Sequence, residues 1–290
     1  MKVWIAYITV AIVWGSTYFG IAEGVTAFNT FGMVASRYLL GAALALAMNR
    51  ITREPLPSRR DALHLGFQGL LLLTGSNALI TWAEGSMSSS ATAVLASTSP
   101  LYYAILGRER LRPHAWFGLA LGLSGVAILV LANGQGIQGT QFKDALAILL
   151  SNLLWAYGTL HGRKHVRGTG LMGQVAVQMA VGGTVALVLV PCTGGFLHSP
   201  LTWKAALAVG YLGVFGSLVA FSAFVYLSRS SWPPTLMSTY VYINPVVAVI
   251  LGCLVLGEPF RLSMVLGMAV ILLGVALLQA QKRIAVKGYR

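Results

Sequence analysis

The feature that most constrains this chain is a series of apolar segments, each close to 20 residues long and separated by short polar loops. A helix needs about 20 mostly apolar residues to cross the hydrocarbon core of a bilayer. Because lipid offers no partner to backbone polar groups, each segment is predicted to be helical. The sequence therefore predicts an all-α membrane protein with ten transmembrane helices, at about 3–22, 30–48, 63–82, 87–106, 114–131, 145–161, 171–190, 203–227, 234–256 and 262–280.

Charge gives the orientation and excludes nucleic acid as a partner. Charged residues make up 9% of the chain, against roughly a quarter in soluble domains. The net charge of +13 is spread over short clusters between the apolar segments. Sixteen of the 20 Lys and Arg residues fall on the side that carries the N-terminus, three fall on the other side, and Arg37 lies within a segment. This asymmetry predicts a multi-pass protein of the inner (plasma) membrane with both termini cytoplasmic.

The two halves of the sequence resemble each other. Residues 118–129 and 267–278 are identical at seven of twelve positions, and Trp14 matches Trp155 at an offset of 141. Five helices per half is an odd number, so the second half is predicted to be inverted relative to the first. We therefore expect two inverted five-helix repeats, 1–134 and 140–290, with a binding site at their interface, as in many transporters.

Several motifs resemble those of the EamA-type drug/metabolite transporters over nearly the whole chain. They are Trp14-Gly-Ser-Thr-Tyr18, Arg37, Pro100, Tyr211-Leu-Gly-Val-Phe-Gly-Ser217, Tyr240-x-Tyr242-x-Asn244-Pro245 and Gly257-Glu258. The resemblance implies a secondary transporter that exports small metabolites, amino acids first, by alternating access through a central cavity. The alternatives are a multidrug or other metabolite exporter and, from other classes, a membrane-embedded enzyme or a scaffold.

Prolines and one arginine are the first candidates for a site. Pro100 and Pro245 occupy corresponding segments of the two halves, and proline kinks a helix, so they could serve gating or only bend the chain. Arg37 should face a partner or a wet cavity, because a charge within the bilayer is costly. It could bind a substrate carboxylate, which a guanidinium matches with two hydrogen bonds. The alternative is that Arg37 is a structural lock to backbone carbonyls near the inner leaflet.

Polar and aromatic side chains complete the candidate set for substrate binding. Thr74, Asn77, Thr81 and Glu84 follow helical spacing on the third segment and so predict one inward polar face. Asn77, Thr81 and Glu84 could contact substrate, or the face could serve hydrogen bonding between helices. The aromatic candidates are too deep for an interfacial belt or lie near the prolines; they are Trp14, Tyr18, Tyr102, Trp155, Tyr240 and Tyr242.

No motif predicts catalysis, a cofactor or a metal. Gly134-x-Gly136-x-x-Gly139 opens no βαβ unit and is interpreted as a loop. His161 and His165 lie in a basic loop without carboxylates or cysteines, so no metal site is expected. All seven acids map to loops or segment ends, which leaves facilitated transport and proton antiport equally open. The expected partners are a small-molecule substrate and the lipid bilayer, with a monomer as the simplest assembly.

Overall fold

The structure, a computed structural model, describes residues 2–86, 92, 95–132, 142–256 and 262–287. These residues form helices, with no strand among them and one isolated β-bridge between Phe28 and Leu197. The helices are α1 (Lys2–Gly24), α2 (Thr30–Thr52), α3 (Arg59–Glu84), α4 (Ser99–Leu106), α5 (Pro113–Ala132), α6 (Phe142–His165), α7 (Leu171–Leu189), α8 (Trp203–Ser228), α9 (Tyr240–Leu256) and α10 (Leu262–Lys287). A 3-10 turn, Val190–Thr193, follows α7, and a single helical turn, Pro234–Met237, precedes α9.

Within the described part of the chain, five helices are long and apolar enough to cross a bilayer. They are α1, α2, α3, α7 with its 3-10 turn, and α8, with mean hydropathy between 1.3 and 2.0. Two shorter apolar stretches, Pro113–Ile128 and Val265–Leu278, lie in α5 and α10. On α1, Ile5, Ile8 and Ile12 are each more than half exposed at the spacing of one helix face. Such a face suits lipid, and the predicted all-helical membrane class is confirmed.

Two helices contain π-helical segments at corresponding places. The segment Leu70–Ser76 interrupts α3, and Leu212–Val219 interrupts α8. A π-helical segment inserts extra residues into a turn and rotates the side chains that follow it relative to those before it. The polar residues of α3 therefore do not share a single face. The Thr74 hydroxyl donates to the carbonyl of Gly182 at 2.8 Å, on the neighbouring α7.

The helices pack in a recurring pattern. Helix α2 lies against α7, and α5 lies against α10. Helix α1 packs on α8 and α9, while α6 packs on α3 and α4; α8 also contacts α2, and α3 also contacts α7. The α5–α10 contact is close because glycines face each other, as the Gly118-x-x-x-Gly122 spacing predicts. A Cβ at Gly274 would lie 2.6 Å from the backbone nitrogen of Gly122.

Loop contacts tie the two ends of the bundle. At one end, the α1–α2 connection meets the α7–α8 connection, where the Asn29 amide donates to the carbonyl of Gly195 at 3.0 Å. At the other end, the α2–α3 connection meets the start of α7, where the backbone N–H of Met172 donates to the Glu54 carboxylate at 2.9 Å. We call these the 29/195 end and the 54/172 end. The N-terminal residue of α1, Lys2, lies toward the 54/172 end.

Candidate substrate cavity

A cavity lies between α1, α2, α3, α4, α6, α8 and α9, and encloses about 730 Å³ including its opening. Its lining comes from the halves of α1, α3 and α6 that run toward the 29/195 end, from Trp14 to Ile21, from Ser76 to Ile80 and from Ser151 to Trp155. The surface combines an aromatic floor, a polar wall and one charged side chain. This composition matches binding sites for small molecules, which are largely apolar with a few placed polar groups.

The floor consists of aromatic rings in mutual contact. Trp14 lies 5.3 Å from Trp155 and 5.2 Å from Tyr240, measured between ring centroids, and both contacts are edge to face. Phe224 fills the remaining gap, 5.2 Å from Trp14 and 5.1 Å from Trp155. The Trp14 indole N–H donates to the Gly216 carbonyl at 3.0 Å. Edge-to-face packing and this hydrogen bond hold the floor rigid.

Asparagine amides dominate the polar wall. The Asn77 amide nitrogen donates to the Leu72 carbonyl at 3.1 Å, which also accepts the backbone N–H of Asn77. The Asn152 amide nitrogen donates to the Leu95 carbonyl and to the Thr98 hydroxyl, both at 3.0 Å. In both residues the nitrogen is used and the carbonyl oxygen accepts no hydrogen bond from the described residues. The wall therefore presents acceptors to the cavity.

Arg37 supplies the positive charge of the cavity lining. The side chain is 4% exposed, its Nε donates to the Ser217 hydroxyl at 3.3 Å, and its Cζ lies 4.9 Å from the Tyr38 ring centroid. The two terminal nitrogens form no hydrogen bond to the described residues. A guanidinium with both terminal nitrogens free offers the paired donors that a carboxylate accepts.

Two acids at helix ends are buried, which the sequence did not predict. Glu84, the last residue of α3, is 9% exposed, and Asp144, in the first turn of α6, is 0% exposed. Among the described residues none donates a hydrogen bond to either carboxylate. The charged neighbour of Glu84 is Arg37, and Tyr18 also lies within its electrostatic reach. Position at a helix end therefore does not mean contact with solvent here, because neighbouring helices cover these ends.

The cavity is closed toward the 54/172 end by layers of buried contacts. Below the floor, the Tyr7 hydroxyl bonds the Thr239 hydroxyl at 2.7 Å, and the Tyr103 hydroxyl donates to the Thr159 hydroxyl at 3.1 Å. Nearer the surface, Trp232 packs edge to face on Trp4 at 4.7 Å. These layers join α1 to α9 and α4 to α6. The described residues therefore close the cavity on the 54/172 side.

A carboxylate lies in the outermost layer of this closed end. The backbone N–H of Thr235 donates to Glu109 at 2.9 Å. Partial burial raises the pKa of Glu109 above its ordinary value, and the Thr235 hydrogen bond and the nearby Arg163 charge oppose that rise. Arg163 in turn donates to the Trp232 carbonyl at 3.1 Å. The two charged groups tie the start of α9 to α4 and α6.

The structure brings six of the ten residues predicted to bind substrate to one cavity. Those that line it are Trp14, Tyr18, Arg37, Asn77, Trp155 and Tyr240. Thr81 and Glu84 are buried on the same helix, beyond the lining. Tyr102 packs against the core, and Tyr242 turns to α5, where its hydroxyl donates to the Leu119 carbonyl at 3.5 Å. Tyr242 lies two residues from Tyr240, so the two point to opposite sides of α9.

The prolines differ in their local settings. Pro245 lies inside α9, as predicted. Pro100 lies in the first turn of α4, and the regular helix before it is interrupted by a turn at Ser97 and Thr98. Proline is well accommodated in a first turn, where its missing N–H would have no partner. The interruption lies in the turn before Pro100, where a proline disrupts a helix, and the kink assigned to Pro100 stays a prediction.

Sequence reasoning missed other members of the lining, Asn152, Asn244 and Phe221 among them. Asn152 precedes Trp155 by three residues, so helical spacing could have placed it on the same face. Asn244 follows Tyr240 by four residues, and its amide, oriented to suit its neighbours, donates to the carbonyls of Ala11 and Tyr240 at 3.0 Å. No sequence pattern singled out Phe221, because in an apolar helix the residues that face a cavity cannot be distinguished by periodicity from those that face lipid.

A third histidine joins the pair His161 and His165. His64 of α3 lies beside this pair, with its Nδ1 3.1 Å from Nε2 of His161. One ring nitrogen from each of the three lies within 4.8 Å of the others. The rings of His64 and His165 are stacked with centroids 4.8 Å apart. The prediction that no metal binds here stays a prediction.

The glycine loop 134–139, Glu258 and Arg261 lie outside the described residues.

A helical membrane bundle around a central cavity that is closed toward one end has the architecture of a small-molecule transporter. The profile of the EamA-like transporter family matches residues 1–131 and again residues 143–279. The chain therefore belongs to the EamA-like transporter family, as the sequence motifs indicated, and it is a membrane transporter.

Individual relatives agree with this assignment. The "Uncharacterized inner membrane transporter YedA" of Escherichia coli K12 is 35% identical over 275 residues, covering 93% of this chain and 88% of the relative. The "Probable terminal-alkyne amino-acid exporter" of Streptantibioticus cattleyicolor is 28% identical over 267 residues, 88% of this chain and 86% of that protein. A crystal structure of another protein, at 20% sequence identity, has a TM-score of 0.75 over 97% of both chains and so shares the fold.

Proposed function

We propose that this protein exports small zwitterionic metabolites, amino acids first, across the inner membrane by alternating access through the central cavity. One observation carries the proposal: the cavity combines the paired donors of Arg37 with the unpaired amide oxygens of Asn77 and Asn152. A carboxylate fits the first group and an ammonium fits the second. An amino acid carries both charges on one carbon atom.

The aromatic floor adds to this choice of substrate class. Trp14, Trp155 and Tyr240 offer ring faces and edges to an apolar side chain, and a ring face also attracts a cation. The name of the Streptantibioticus relative concerns an amino-acid exporter and supports the same class. A multidrug exporter is the second candidate, favoured by the apolar share of the lining. A cavity for bulky apolar drugs would, however, gain nothing from the buried guanidinium of Arg37.

The helix packing supports the inverted repeat. Exchanging each helix for the one five places along the chain reproduces the main helix contacts: the α1–α9 contact becomes α6–α4, and α1–α8 becomes α6–α3. The pairs α2–α7 and α5–α10 map onto themselves. The family profile also matches twice, and the π-helical segments of α3 and α8 correspond. The repeats proposed are 1–134 and 140–290, with both termini cytoplasmic.

Alternating access follows from the layers on the 54/172 side. In the orientation set by the Lys and Arg asymmetry, that side is cytoplasmic, so this conformation faces outward. The inward state would break the Tyr7–Thr239 and Tyr103–Thr159 hydrogen bonds and release the contact between Glu109 and Thr235. The small number of side-chain hydrogen bonds in these layers is consistent with two conformations of similar free energy.

Coupling to protons is proposed to depend on Glu84. A carboxylate buried without a hydrogen-bond donor is costly in its charged form, and Arg37 nearby offsets part of that cost. A substrate carboxylate bound at Arg37 would remove that offset and favour proton uptake by Glu84. Substrate binding and proton uptake at Glu84 would then favour each other.

The test is counterflow of labelled amino acids in proteoliposomes that contain purified protein. Saturable uptake of one or more amino acids, competed by the unlabelled compound, is the expected result. A bis-cationic or neutral drug panel runs in parallel. Uptake of drugs with no uptake of any amino acid, by folded protein, would replace the amino-acid proposal with the multidrug one.

A further inference from the structure

A second cavity lies at the 54/172 end, between α3, α6, α7 and α8, and encloses about 690 Å³ including its opening. It shares no lining residue with the central cavity. Among the described residues its lining contains three arginines and no Asp or Glu; the arginines are Arg163, Arg167 and Arg229. A concave surface with three positive charges and no lining acid concentrates anions.

The side-chain amides of the cavity point to a ligand. Gln178 is 1% exposed, and neither its amide nitrogen nor its carbonyl oxygen has a hydrogen-bond partner among the described residues. A buried amide without partners costs free energy, so such a group calls for a ligand or water that satisfies it. Gln68, 5% exposed, lines the same space.

The arginines differ in how far they are already engaged. Arg229 donates to the Thr169 carbonyl at 3.1 Å, which fixes its position and leaves further N–H groups free. Arg163 is held by the carbonyls of Ser230 and Trp232. Arg167 is exposed and forms no hydrogen bond to the described residues. One free and one anchored guanidinium beside a neutral amide donor can contact several oxygens of one tetrahedral anion.

We propose that this second cavity binds a phosphate group, carried either by an anionic lipid headgroup or by a free phosphate compound in the cytoplasm. The cavity lies at the bundle end that the charge asymmetry assigns to the cytoplasm, where the leaflet carries anionic lipid. Basic pockets between transmembrane helices on this side commonly hold phosphate headgroups. The proposal does not depend on what the central cavity transports.

The experiment uses the full chain in nanodiscs of phosphatidylcholine, with and without phosphatidylglycerol. Native mass spectrometry counts retained phosphatidylglycerol, and calorimetry follows titration with inorganic phosphate in discs of phosphatidylcholine. The variants are Arg167→Gln with Arg229→Gln, and Gln178→Leu. The control is Arg59→Gln, an exposed arginine at the same end of the bundle that does not line the cavity.

Retention of phosphatidylglycerol by wild type that falls about tenfold or more in the double arginine variant, and not in the control, would support a lipid headgroup site. Binding of inorganic phosphate with the same variant pattern and no lipid retention would support a site for a free phosphate compound. The thermal midpoint of each variant separates lost binding from misfolding, and the two exposed arginines can change without disturbing the core. No binding in either arm, or an equal loss in Arg59→Gln, would overturn the proposal.

Discussion

The indole rings of Trp14 and Trp155 meet edge to face, 5.3 Å between centroids, at the floor of the central cavity. They occupy equivalent places in the two halves of the sequence, 141 positions apart. Each half thus contributes the same side chain to one contact. The two rings also separate the accessible part of the cavity from the closed layers below, so a conformational change that opens those layers must move this contact.

The first prediction concerns this floor. Trp155→Phe keeps an aromatic ring but shortens the edge that faces Trp14, so KM for the transported amino acid should rise several-fold. Trp155→Ala should abolish saturable counterflow, because it removes the ring that three aromatic neighbours contact. Initial rates of counterflow over a concentration series measure both effects.

The matched control for the floor is Trp116→Ala on α5. Trp116 is 47% exposed and lies away from the cavity, so counterflow should remain within a factor of two of wild type. Loss of transport in Trp116→Ala equal to that in Trp155→Ala would show that general destabilisation, and not the floor, explains the result.

Arg37 gives the second prediction. Arg37→Gln copies the residue at the equivalent place in the second half, Gln178. A hydrogen bond to a charged group contributes about 1.5–3 kcal/mol, so KM for an amino acid should rise by about tenfold or more. The maximal rate should change little, and the fall in the thermal midpoint should be small, because Glu84, which loses its offsetting charge, can take up a proton.

The competing interpretation of Arg37 as a structural lock makes the opposite prediction. It requires the thermal midpoint of Arg37→Gln to fall markedly and the maximal rate to fall with it, while KM stays near the wild-type value. Arg59→Gln, on the surface at the start of α3, serves as the charge control for both assays.

Close packing of α3 against α7 gives the third prediction. A Cβ at Gly69 would lie 2.3 Å from the Gln178 carbonyl oxygen, whereas a Cβ at Gly210 would meet nothing within 4 Å. Gly210 lies 141 positions after Gly69, so the pair is matched within the repeat. Gly69→Ala should lower stability by about 1–3 kcal/mol through overpacking. Gly210→Ala should leave it unchanged or raise it slightly, because alanine favours a helix.

Thermal midpoints in a fixed detergent measure this third pair. Equal midpoints for Gly69→Ala and Gly210→Ala would contradict the close approach of α3 to α7. Equal midpoints would also contradict the position of Gln178 beside α3.

How much of this molecule the sequence predicts depends on the kind of signal. Apolar length predicts helices, and the Trp14–Trp155 repeat and the buried charge of Arg37 single out residues that the fold brings to one cavity. The rotation of a side chain about its helix is harder to predict. The π-helical segment Leu70–Ser76 turns Thr74 to α7 and Asn77 to the cavity, and uniform helical spacing cannot anticipate that.

Burial is the other property that the sequence did not predict. Glu84 and Asp144 lie at helix ends, where solvent is the ordinary expectation, yet neighbouring helices cover them. The histidine cluster joins His64 to His161, 97 positions along the chain, through packing of α3 on α6. Such proximity depends on tertiary structure, and a single sequence has no local pattern that reports it.

The fourth prediction concerns Glu109 and pH. Since burial raises the pKa of Glu109 in the folded protein above its unfolded value, the folded state binds the proton more tightly. Stability should therefore be greatest below the unfolded pKa and should fall as pH rises through the folded pKa. Glu109→Gln removes this titration, so the midpoint of wild type relative to the variant should decline from acid to neutral pH.

Differential scanning fluorimetry of both proteins across that pH range measures the difference. Asp61→Asn serves as the control. The Asp61 carboxylate lies at the surface, at the start of α3, where it accepts a hydrogen bond from the Ser58 hydroxyl. A wild-type midpoint that rises relative to Glu109→Gln with increasing pH would contradict the assigned burial of this carboxylate.

The most direct test of the account is protection of the cavity by substrate. Ile80 lines the cavity without a polar role, and the native Cys192 is exposed outside it. The protein tested carries Ile80→Cys together with Cys253→Ser, which removes the second of the two native cysteines. A small thiol reagent is applied with and without the amino acid that shows the strongest counterflow. The account predicts that the amino acid slows modification at position 80 at least several-fold and leaves Cys192 unaffected. Equal rates at position 80 with and without the amino acid, in protein that still catalyses counterflow, would contradict it.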